Sequence, residues 1–295
     1  MNTDRSHDVD NLVKDPQAAH RMAASSPRSG DGGRLSSRHA AATVSSSYDT
    51  AILADGPVAF WTLGGGRAGV ADQTGHGHTG RAHGGPRVTE FVNGDPATVF
   101  DGTTQYIEVP DHDALSVPAT GILSIEAWMR PDVLDFPHQE GTNYVHWLGK
   151  GDANQYEYAA RMYSRTTTDS PQRPNRVSGY AFNLSGDKGT GSYFQDNIIV
   201  GQWIHYMLVI NTVDTDESHP TGYTKIYKNG CARDQDALTS FATVPGSGTA
   251  PFRIATRDLK SFFLGAIAKV AIYDYELSPT TVRSHYQAIV PSGAQ

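Results

Sequence analysis

The stretch "LSIEAWMRP" (residues 123–131) alternates apolar and polar side chains, and this alternation decides the fold. Successive side chains of a β-strand point to opposite faces, so the stretch predicts a strand with two unlike faces. One face holds Leu123, Ile125, Ala127 and Met129, and the other holds Ser124, Glu126, Trp128 and Arg130. Strands of this kind build two antiparallel sheets that pack face to face.

Short runs of the same character follow one another from Tyr48 onward, and each is bounded by Gly, Pro, Asn or Asp. They include "TVFDG" (98–102), "YVHWLGKG" (144–151), "YEYAARMYS" (156–164), "VSGYAFNLS" (177–185), "QWIHYMLVINT" (202–212) and "AIAKVAIYDYEL" (266–277). Many short strands separated by turns indicate a β-sandwich or barrel. Residues 165–179 and 186–196 are interpreted as long loops. Only 278–290 predicts a helix, with Ser278 as N-cap and Pro279 in the first turn.

Charge and cysteine content exclude several classes of protein. The chain has 295 residues and a formal net charge of −7, whereas a nucleic-acid partner requires a basic surface. Its one cysteine, Cys231, excludes an intrachain disulfide. No apolar run approaches the roughly 20 residues that span a bilayer. We therefore expect neither a nucleic-acid nor a membrane partner.

Residues 1–47 differ in composition from the rest of the chain. They are rich in Ser, Ala, Arg, Asp and Gly and contain few large apolar side chains, so the burial that offsets ordering entropy is lacking. We predict a low-complexity tail that is disordered or acts as a docking arm, followed by one domain at 48–295. The tail contains no apolar segment of the roughly 7–15 residues that a secretory signal needs. A cytoplasmic location is the expectation, or a secreted one if a leader precedes this sequence.

Six motifs in register resemble the laminin-G-like, concanavalin A-like lectin/glucanase superfamily of jelly rolls. They are "AFWTL" (59–63) with "VADQTGHGHTGRAHGG" (70–85), "VFDGTTQYIEVP" (99–110), "LSIEAWMRP", "VGQWIHYMLVIN" (200–211), "YTKIYKNG" (223–230) and "FFLGAIAKVAIYDYELSPTTVRSHY" (262–286). The resemblance covers roughly Pro57 to Tyr286. It implies an all-β fold, a two-sheet antiparallel β-sandwich with a flexible N-terminal tail and a short C-terminal helix.

The resemblance also raises calcium as a cofactor. Many members bind Ca²⁺ through an Asp near the first loop and an acidic residue in the closing strand, and Asp72 matches the first position. Ala268 and Lys269 stand where the family usually carries Asp and Glu. Calcium requires several oxygen ligands, and a lysine opposes it. The closing strand thus supplies no predicted ligand, and Asp72 is the one metal-ligating residue that we predict.

The middle of the chain is the predicted site. Alternation in "YEYAARMYS" places Glu157, Arg161 and Tyr163 on the face opposite Tyr158, Ala160 and Met162. In "GYAFNLS" (179–185), Tyr180 and Phe182 are assigned to the core, which places Asn183 on the same outer surface as Arg161. An arginine with carboxylate, amide and aromatic neighbours is suited to gripping a sugar through bidentate hydrogen bonds and stacking. The predicted ligand-binding residues are Trp128, Glu157, Arg161, Tyr163, Arg176, Asn183 and Tyr193. The alternative is a solvated sheet face with a Glu–Arg pair across strands.

Three functions follow from these features. The favoured one is a non-catalytic recognition module that binds a glycan or a protein surface through its concave face and rim loops. The second is a polysaccharide lyase or glycoside hydrolase. The E-x-D-x-E motif of a retaining glucanase is absent, but a lyase would use Arg161, Tyr163, His146 and Asn183. The third is a structural subunit that forms a homo-oligomer or a larger assembly through residues 1–47.

Overall fold

The computed structural model describes residues 46–66 and 69–290, which lie in one compact unit. We predicted that the tail, residues 1–47, is disordered or acts as a docking arm. All of these residues except Ser46 and Ser47 lie outside the described part. Fifteen β-strands and two α-helices form the regular structure of the described residues.

The strands and helices have the following bounds. The first seven strands are β1 (Ala59–Trp61), β2 (Arg81–His83), β3 (Arg87–Glu90), β4 (Pro96–Asp101), β5 (Tyr106–Val109), β6 (Ile122–Pro131) and β7 (Tyr144–Lys150). The other eight are β8 (Tyr158–Tyr163), β9 (Val177–Asn183), β10 (Gly186–Phe194), β11 (Ile204–Asn211), β12 (Tyr223–Lys228), β13 (Cys231–Ala237), β14 (Phe252–Ile254) and β15 (Leu264–Tyr273). The helices are α1 (Ser47–Ala54) and α2 (Pro279–Ile289).

The strands form two sheets whose pairings are all antiparallel. Sheet 1 has the order β13-β12-β11-β6-β15-β4-β3, with β1 paired to β15. Sheet 2 has the order β10-β9-β8-β7-β14-β5-β2. The predicted all-β sandwich with a short C-terminal helix is confirmed.

The main core lies between the inner faces of the two sheets. Alternate residues of β6, from Leu123 to Met129, enter it from sheet 1, as the alternation in "LSIEAWMRP" predicts. Tyr158, Ala160 and Met162 of β8 enter it from sheet 2. Each large apolar side chain buried in this way stabilises the fold by about 1.5–3 kcal/mol.

The two helices cover the outer face of sheet 1. Ser278 Oγ accepts a hydrogen bond from Thr281 N at 3.1 Å and caps α2, as predicted. Helix α1, which was not predicted, has Ser46 as its cap. Between the helices and the sheet, Trp128 stacks on Tyr286 with 5.8 Å between ring centroids. The outer face of sheet 1 is therefore a second core and not a free surface.

A buried acid, Glu126, links this second core together. Its Oε1 accepts a hydrogen bond from Tyr48 Oη at 2.7 Å and lies 2.8 Å from His205 Nε2. Its Oε2 lies 2.9 Å from His285 Nδ1, and the other ring nitrogen of His285 lies 2.8 Å from Asp55 Oδ2. Burial alone raises the pKa of Glu126, but its contacts with the two histidines outweigh burial and lower the pKa to about 2.

The Glu126–His285 pair makes stability depend on pH. Burial lowers the pKa of His285, but Glu126 and Asp55 outweigh burial and raise the pKa above 6.5. The contribution of protonated His285 to the free energy of unfolding is therefore complete below pH 6.5 and is lost as pH rises through the folded-state pKa. The Glu126 contribution is complete above pH 4.5 and is lost as pH falls toward 2. We expect the stability advantage of the wild type over His285→Gln, measured by urea denaturation, to be larger at about pH 5.5 than at about pH 8.5.

An equal advantage at both pH values would contradict this assignment. The variant His138→Gln, at an exposed position, is the control, and we expect its free energy of unfolding to stay within about 0.5 kcal/mol of the wild type at either pH.

Candidate ligand-binding groove

The outer face of sheet 2 carries a groove of about 490 Å³, which is within the size range of ligand pockets. Strands β7 to β9 form its floor, and the turn at Leu238–Phe241 closes one side. Its lining includes Tyr144, Arg161, Tyr163, Asp169, Arg173, Arg176, Tyr180, Lys188, Tyr193, Asp236 and Phe241.

Strand β10 forms one wall of the groove, although residues 186–196 were predicted as a loop. That prediction is wrong for 186–194, which pair with β9. Its glycines, which weaken the sequence signal of a strand, are what the packing requires. A Cβ on Gly189 would lie 2.6 Å from the Phe182 ring, and one on Gly191 would overlap the Tyr180 ring. The glycines therefore leave room for both rings against the backbone of β10.

Arg161 lies half-buried on the floor. Its guanidinium carbon is 3.9 Å from the centroid of the Tyr144 ring and 4.5 Å from that of the Tyr180 ring. Its Nε and Nη2 lie 3.2 Å from His146 Nε2. Its Nη1 donates to Tyr163 Oη at 3.1 Å. These contacts hold the cation rigidly between two aromatic rings.

His146 lies behind Arg161 and is completely buried. Its Nε2 accepts from Arg161, so the ring proton is on Nδ1, which lies 2.5 Å from Glu140 Oε1. Burial, followed by the charges of Arg257 and Arg161, lowers the pKa of His146 well below 6.5, and the ring is neutral. His146 therefore orients Arg161 and has no surface with which to contact a ligand.

Tyr163 completes the floor. Its hydroxyl accepts hydrogen bonds from Arg161 and from Arg173 Nη1, at 3.1 and 3.2 Å, and lies 3.4 Å from Tyr180 Oη. Burial raises the pKa of Tyr163, but the two guanidinium groups and Tyr180 outweigh burial, and the net shift is downward. Only 1% of the residue is exposed.

Two exposed aromatic rings stand at the rim. Tyr193 is 41% exposed and Phe241 is 50% exposed. The guanidinium carbon of Arg176 lies 3.7 Å from the Tyr193 ring centroid, and Arg176 also bonds to Gln195 Oε1 at 2.9 and 3.0 Å. Lys188 Nζ lies 5.9 Å from the Phe241 ring. The rim thus offers flat apolar surfaces beside a polar floor.

Four of the seven predicted ligand-binding residues line the groove: Arg161, Tyr163, Arg176 and Tyr193. Trp128 does not, because it lies on sheet 1 under the helices and is 1% exposed. Placing Trp128 on the same binding surface as Arg161 was therefore wrong.

Glu157 and Asn183 also lie away from the predicted surface. Glu157 precedes β8, so strand alternation does not fix its direction; it is 1% exposed, forms an ion pair with Lys150 and accepts from Gly248 N at 2.9 Å. Asn183 is on the Ala181 side of β9, which faces the core, and its Oδ1 accepts from Val244 N at 2.8 Å. The lyase set of Arg161, Tyr163, His146 and Asn183 is not brought together on one accessible surface.

Sequence reasoning missed Tyr144, Tyr180 and Phe241 as lining residues. Tyr180 and Phe182 were assigned to the core, but in β9 the smaller Val177 and Ala181 enter the core instead. The alternation itself was visible, and only the choice of inner face was wrong. For Phe241 no signal existed, because its place depends on the fold of a remote turn.

Asp72, the predicted metal ligand, has partners of another kind. Its Oδ1 accepts from Phe60 N at 3.2 Å and from Thr74 N at 3.0 Å, and its Oδ2 accepts from His78 N at 3.1 Å. Burial raises the pKa of Asp72, but these hydrogen bonds and that of the Thr74 hydroxyl outweigh burial and lower it. Asp72 organises its own loop. In the closing strand, Lys269 Nζ lies 2.6 Å from Asp49 and 2.8 Å from Asp95.

Within residues 46–66 and 69–290, the one group of three or more acidic, histidine or cysteine side chains close enough to share a metal ion is Glu140, His146 and Asp258. It does not include Asp72. Arg161 donates to His146, and Arg257 Nη2 donates to Asp258 at 2.8 Å. Two adjacent guanidinium groups oppose a cation bound by Glu140, His146 and Asp258. Neither this group nor the loop of Asp72 supports the predicted calcium.

Solved structures with the same fold include binding domains. Domain 4 of AbnA, a GH43 extracellular arabinanase from Geobacillus stearothermophilus, in complex with arabinotriose, matches with a TM-score of 0.55 and 19% identity over 78% of this chain and 98% of its own. The receptor binding domain of botulinum neurotoxin C/D mosaic serotype matches with a TM-score of 0.58 and 12% identity over 79% of this chain and 51% of its own. The binding domain of Paraclostridial Mosquitocidal Protein 1 matches with a TM-score of 0.60 and 13% identity, over 81% and 54%. This chain therefore spans about half the length of these toxin binding domains.

Sequence comparison identifies the family. No curated protein sequence matches the chain. In the structure, neither helix of the described part combines the length and the apolar character that crossing a membrane requires.

A family model does match. Residues 101–283, more than half of the chain, match the family Laminin_G_3, described as the concanavalin A-like lectin/glucanases superfamily. The chain therefore belongs to the Laminin_G_3 family of concanavalin A-like lectin/glucanase folds.

Proposed function

We propose that this protein is a non-catalytic recognition module that binds a glycan in the groove of sheet 2. The observation that carries the proposal is the pair of exposed rings, Tyr193 and Phe241, beside a floor of hydrogen-bonding groups. Sugar rings present apolar C–H faces and hydroxyl edges, so they are bound by aromatic faces together with polar groups. The arabinotriose complex of the AbnA domain supports a glycan as ligand on this fold.

Binding is favoured over glycoside hydrolysis by the acids in the groove. Hydrolysis requires two carboxylates that flank one glycosidic bond. The described lining contains two acids, and both are engaged: Asp169 Oδ2 lies 3.3 Å from Arg173 Nε, and Asp236 accepts from Ser240 Oγ at 2.7 Å.

A second candidate function is β-elimination on a uronate polymer. One observation favours it: the phenol of Tyr163 lies between two guanidinium groups, which lower its pKa as a base would require. The burial of Tyr163 and of His146 disfavours it, because a base must reach the proton it removes. Incubation with uronate polymers distinguishes the two functions, since elimination produces an unsaturated product that absorbs in the ultraviolet.

Removing a rim ring is expected to weaken glycan binding. We expect Tyr193→Ala and Phe241→Ala each to raise the Kd of a bound glycan about 5- to 10-fold, because each removes a stacking surface worth about 1 kcal/mol. The measurement is affinity electrophoresis and calorimetry of the full chain with a panel of neutral and acidic polysaccharides.

The control for this experiment is Val88→Ala, which also trims an exposed apolar side chain but lies in β3 of sheet 1. Its Kd should equal that of the wild type. Unchanged binding in both rim variants, or equal weakening in the control, would show that the glycan does not bind in this groove.

A further inference from the structure

Four cations are fully buried in the described part of the chain, and each is paired with a carboxylate. The pairs are Lys150 with Asp111 and Glu157, Lys269 with Asp49 and Asp95, Arg253 with Glu108 and Asp152, and Arg257 with Asp258. Such pairing is expected, because a buried charge without a counter-ion is costly.

Arg161, which is half-buried on the groove floor, has no carboxylate partner. Its hydrogen-bond partners are the neutral His146 and the Tyr163 hydroxyl, and its faces contact Tyr144 and Tyr180. Within the described part of the chain, no carboxylate lies at ion-pair distance from its guanidinium. Aromatic faces and neutral acceptors stabilise a cation but do not neutralise its charge.

The donors of Arg161 are not all used. A guanidinium has five N–H donors, and three are engaged by His146 and Tyr163, which leaves two. Arg173 Nη1 meets Arg161 Nη1 at the same phenol oxygen, so two guanidinium groups converge at one point of the floor.

The groove as a whole is basic in an acidic chain. Its lining contains four cations, Arg161, Arg173, Arg176 and Lys188, and two acids, Asp169 and Asp236. The whole chain has a net charge of −7. A concave surface lined by one sign of charge concentrates ligands of the opposite sign.

We propose that the ligand of this groove carries an acidic substituent, a carboxylate or a sulfate, which supplies the missing counter-ion of Arg161. The inference rests on the proposed function, since it specifies which class of glycan the groove binds. Both anions match the planar donor fork of a guanidinium, and a charge-assisted bond to either is among the stronger hydrogen bonds of proteins.

The test compares pairs of polysaccharides that share a sugar backbone and differ in whether the acidic group is present. Polygalacturonate is compared with its methyl ester, and dextran sulfate with dextran, by calorimetry on the full chain. We expect at least one acidic member to bind about 10- to 100-fold more tightly than its neutral partner. The preference should shrink as NaCl is raised from about 0.05 to about 0.5 M, since salt screens charges that solvent reaches. The two pairs distinguish a carboxylate from a sulfate.

Variants assign the preference to Arg161. In Arg161→Gln the acidic and neutral members should bind alike, and Arg161→Lys, which keeps the charge, should retain part of the preference. Arg283→Gln, an equal change of charge at an exposed position of α2 on sheet 1, should retain all of it. Thermal unfolding of each variant verifies that it is folded.

Each other outcome has a separate meaning. If neutral members bind as tightly as acidic ones, or if only neutral glycans of the panel bind, the inference is overturned while the proposed function stands. If Arg161→Gln keeps the full preference, Arg161 is not the residue responsible and the inference is wrong. If no glycan binds, the proposed function and the inference fail together.

Discussion

Replacing Glu126 by alanine is expected to lower the free energy of unfolding by about 3–5 kcal/mol. The carboxylate is fully buried and is bonded to Tyr48, His205 and His285. These three residues come from α1, β11 and α2, so Glu126 on β6 joins both helices to sheet 1. Its removal leaves three buried polar groups without their acceptor, and the remaining charge of His285 without a buried partner.

Urea denaturation at about pH 6 is the measurement, since this pH lies in the window where the network contributes most. Glu126→Gln, which keeps the shape and one acceptor, should lose less than Glu126→Ala. Glu217→Ala, in an exposed loop, serves as the control and should stay within about 0.5 kcal/mol of the wild type. A loss below about 1 kcal/mol in Glu126→Ala would refute a structural role for the network.

Trp128→Ala is expected to cost a similar amount, about 3–5 kcal/mol, because it opens a large cavity in the second core. The indole ring packs against Tyr286 at 5.8 Å, Phe91 at 5.2 Å and Tyr48 at 6.3 Å between ring centroids. Since Trp128 lies on sheet 1 and the groove lies on the outer face of sheet 2, we expect the folded fraction of the variant to bind glycan with the Kd of the wild type.

Chemical denaturation and a binding titration on the same sample separate these two effects. Trp128→Phe, which fills most of the volume, should lose less stability than the alanine variant and is the matched control. A variant of normal stability with weakened binding would restore Trp128 to the ligand-binding residues.

The strands and turns of the fold could be predicted from local sequence patterns, and β6 is an example. In β6, alternation identified both faces correctly, because apolar residues on one side and Glu126 with Trp128 on the other serve two different cores. At the turn between β12 and β13, Asn229 and Gly230 have φ values of 53° and 74°, as a tight hairpin turn requires. Local chemistry of this kind predicts elements well.

The site was harder to predict, because it depends on distances that the sequence does not contain. Arg161 and Tyr163 were identified by alternation, but their partner Arg173 lies in the loop between β8 and β9, and Tyr144 comes from the neighbouring strand. The position of Asn183 was predicted wrongly because the large rings of Tyr180 and Phe182 suggested the core face, whereas the smaller Val177 and Ala181 fill the core. When a strand carries apolar side chains on both faces, alternation alone does not show which face is the inner one.

Some predictions remain predictions. The cytoplasmic location is one, and the role of residues 1–47 in an assembly is another, since 1–45 lie outside the described residues.

Whether the groove of sheet 2 binds a glycan can be seen in a crystal structure of the full chain, after the crystals are soaked with an oligosaccharide of the tightest-binding polysaccharide in the panel. We expect electron density for sugar rings against Tyr193 and Phe241, with an acidic group within hydrogen-bond distance of the Arg161 guanidinium. Sugar density at any other surface, with the groove empty at saturating ligand, would contradict this expectation.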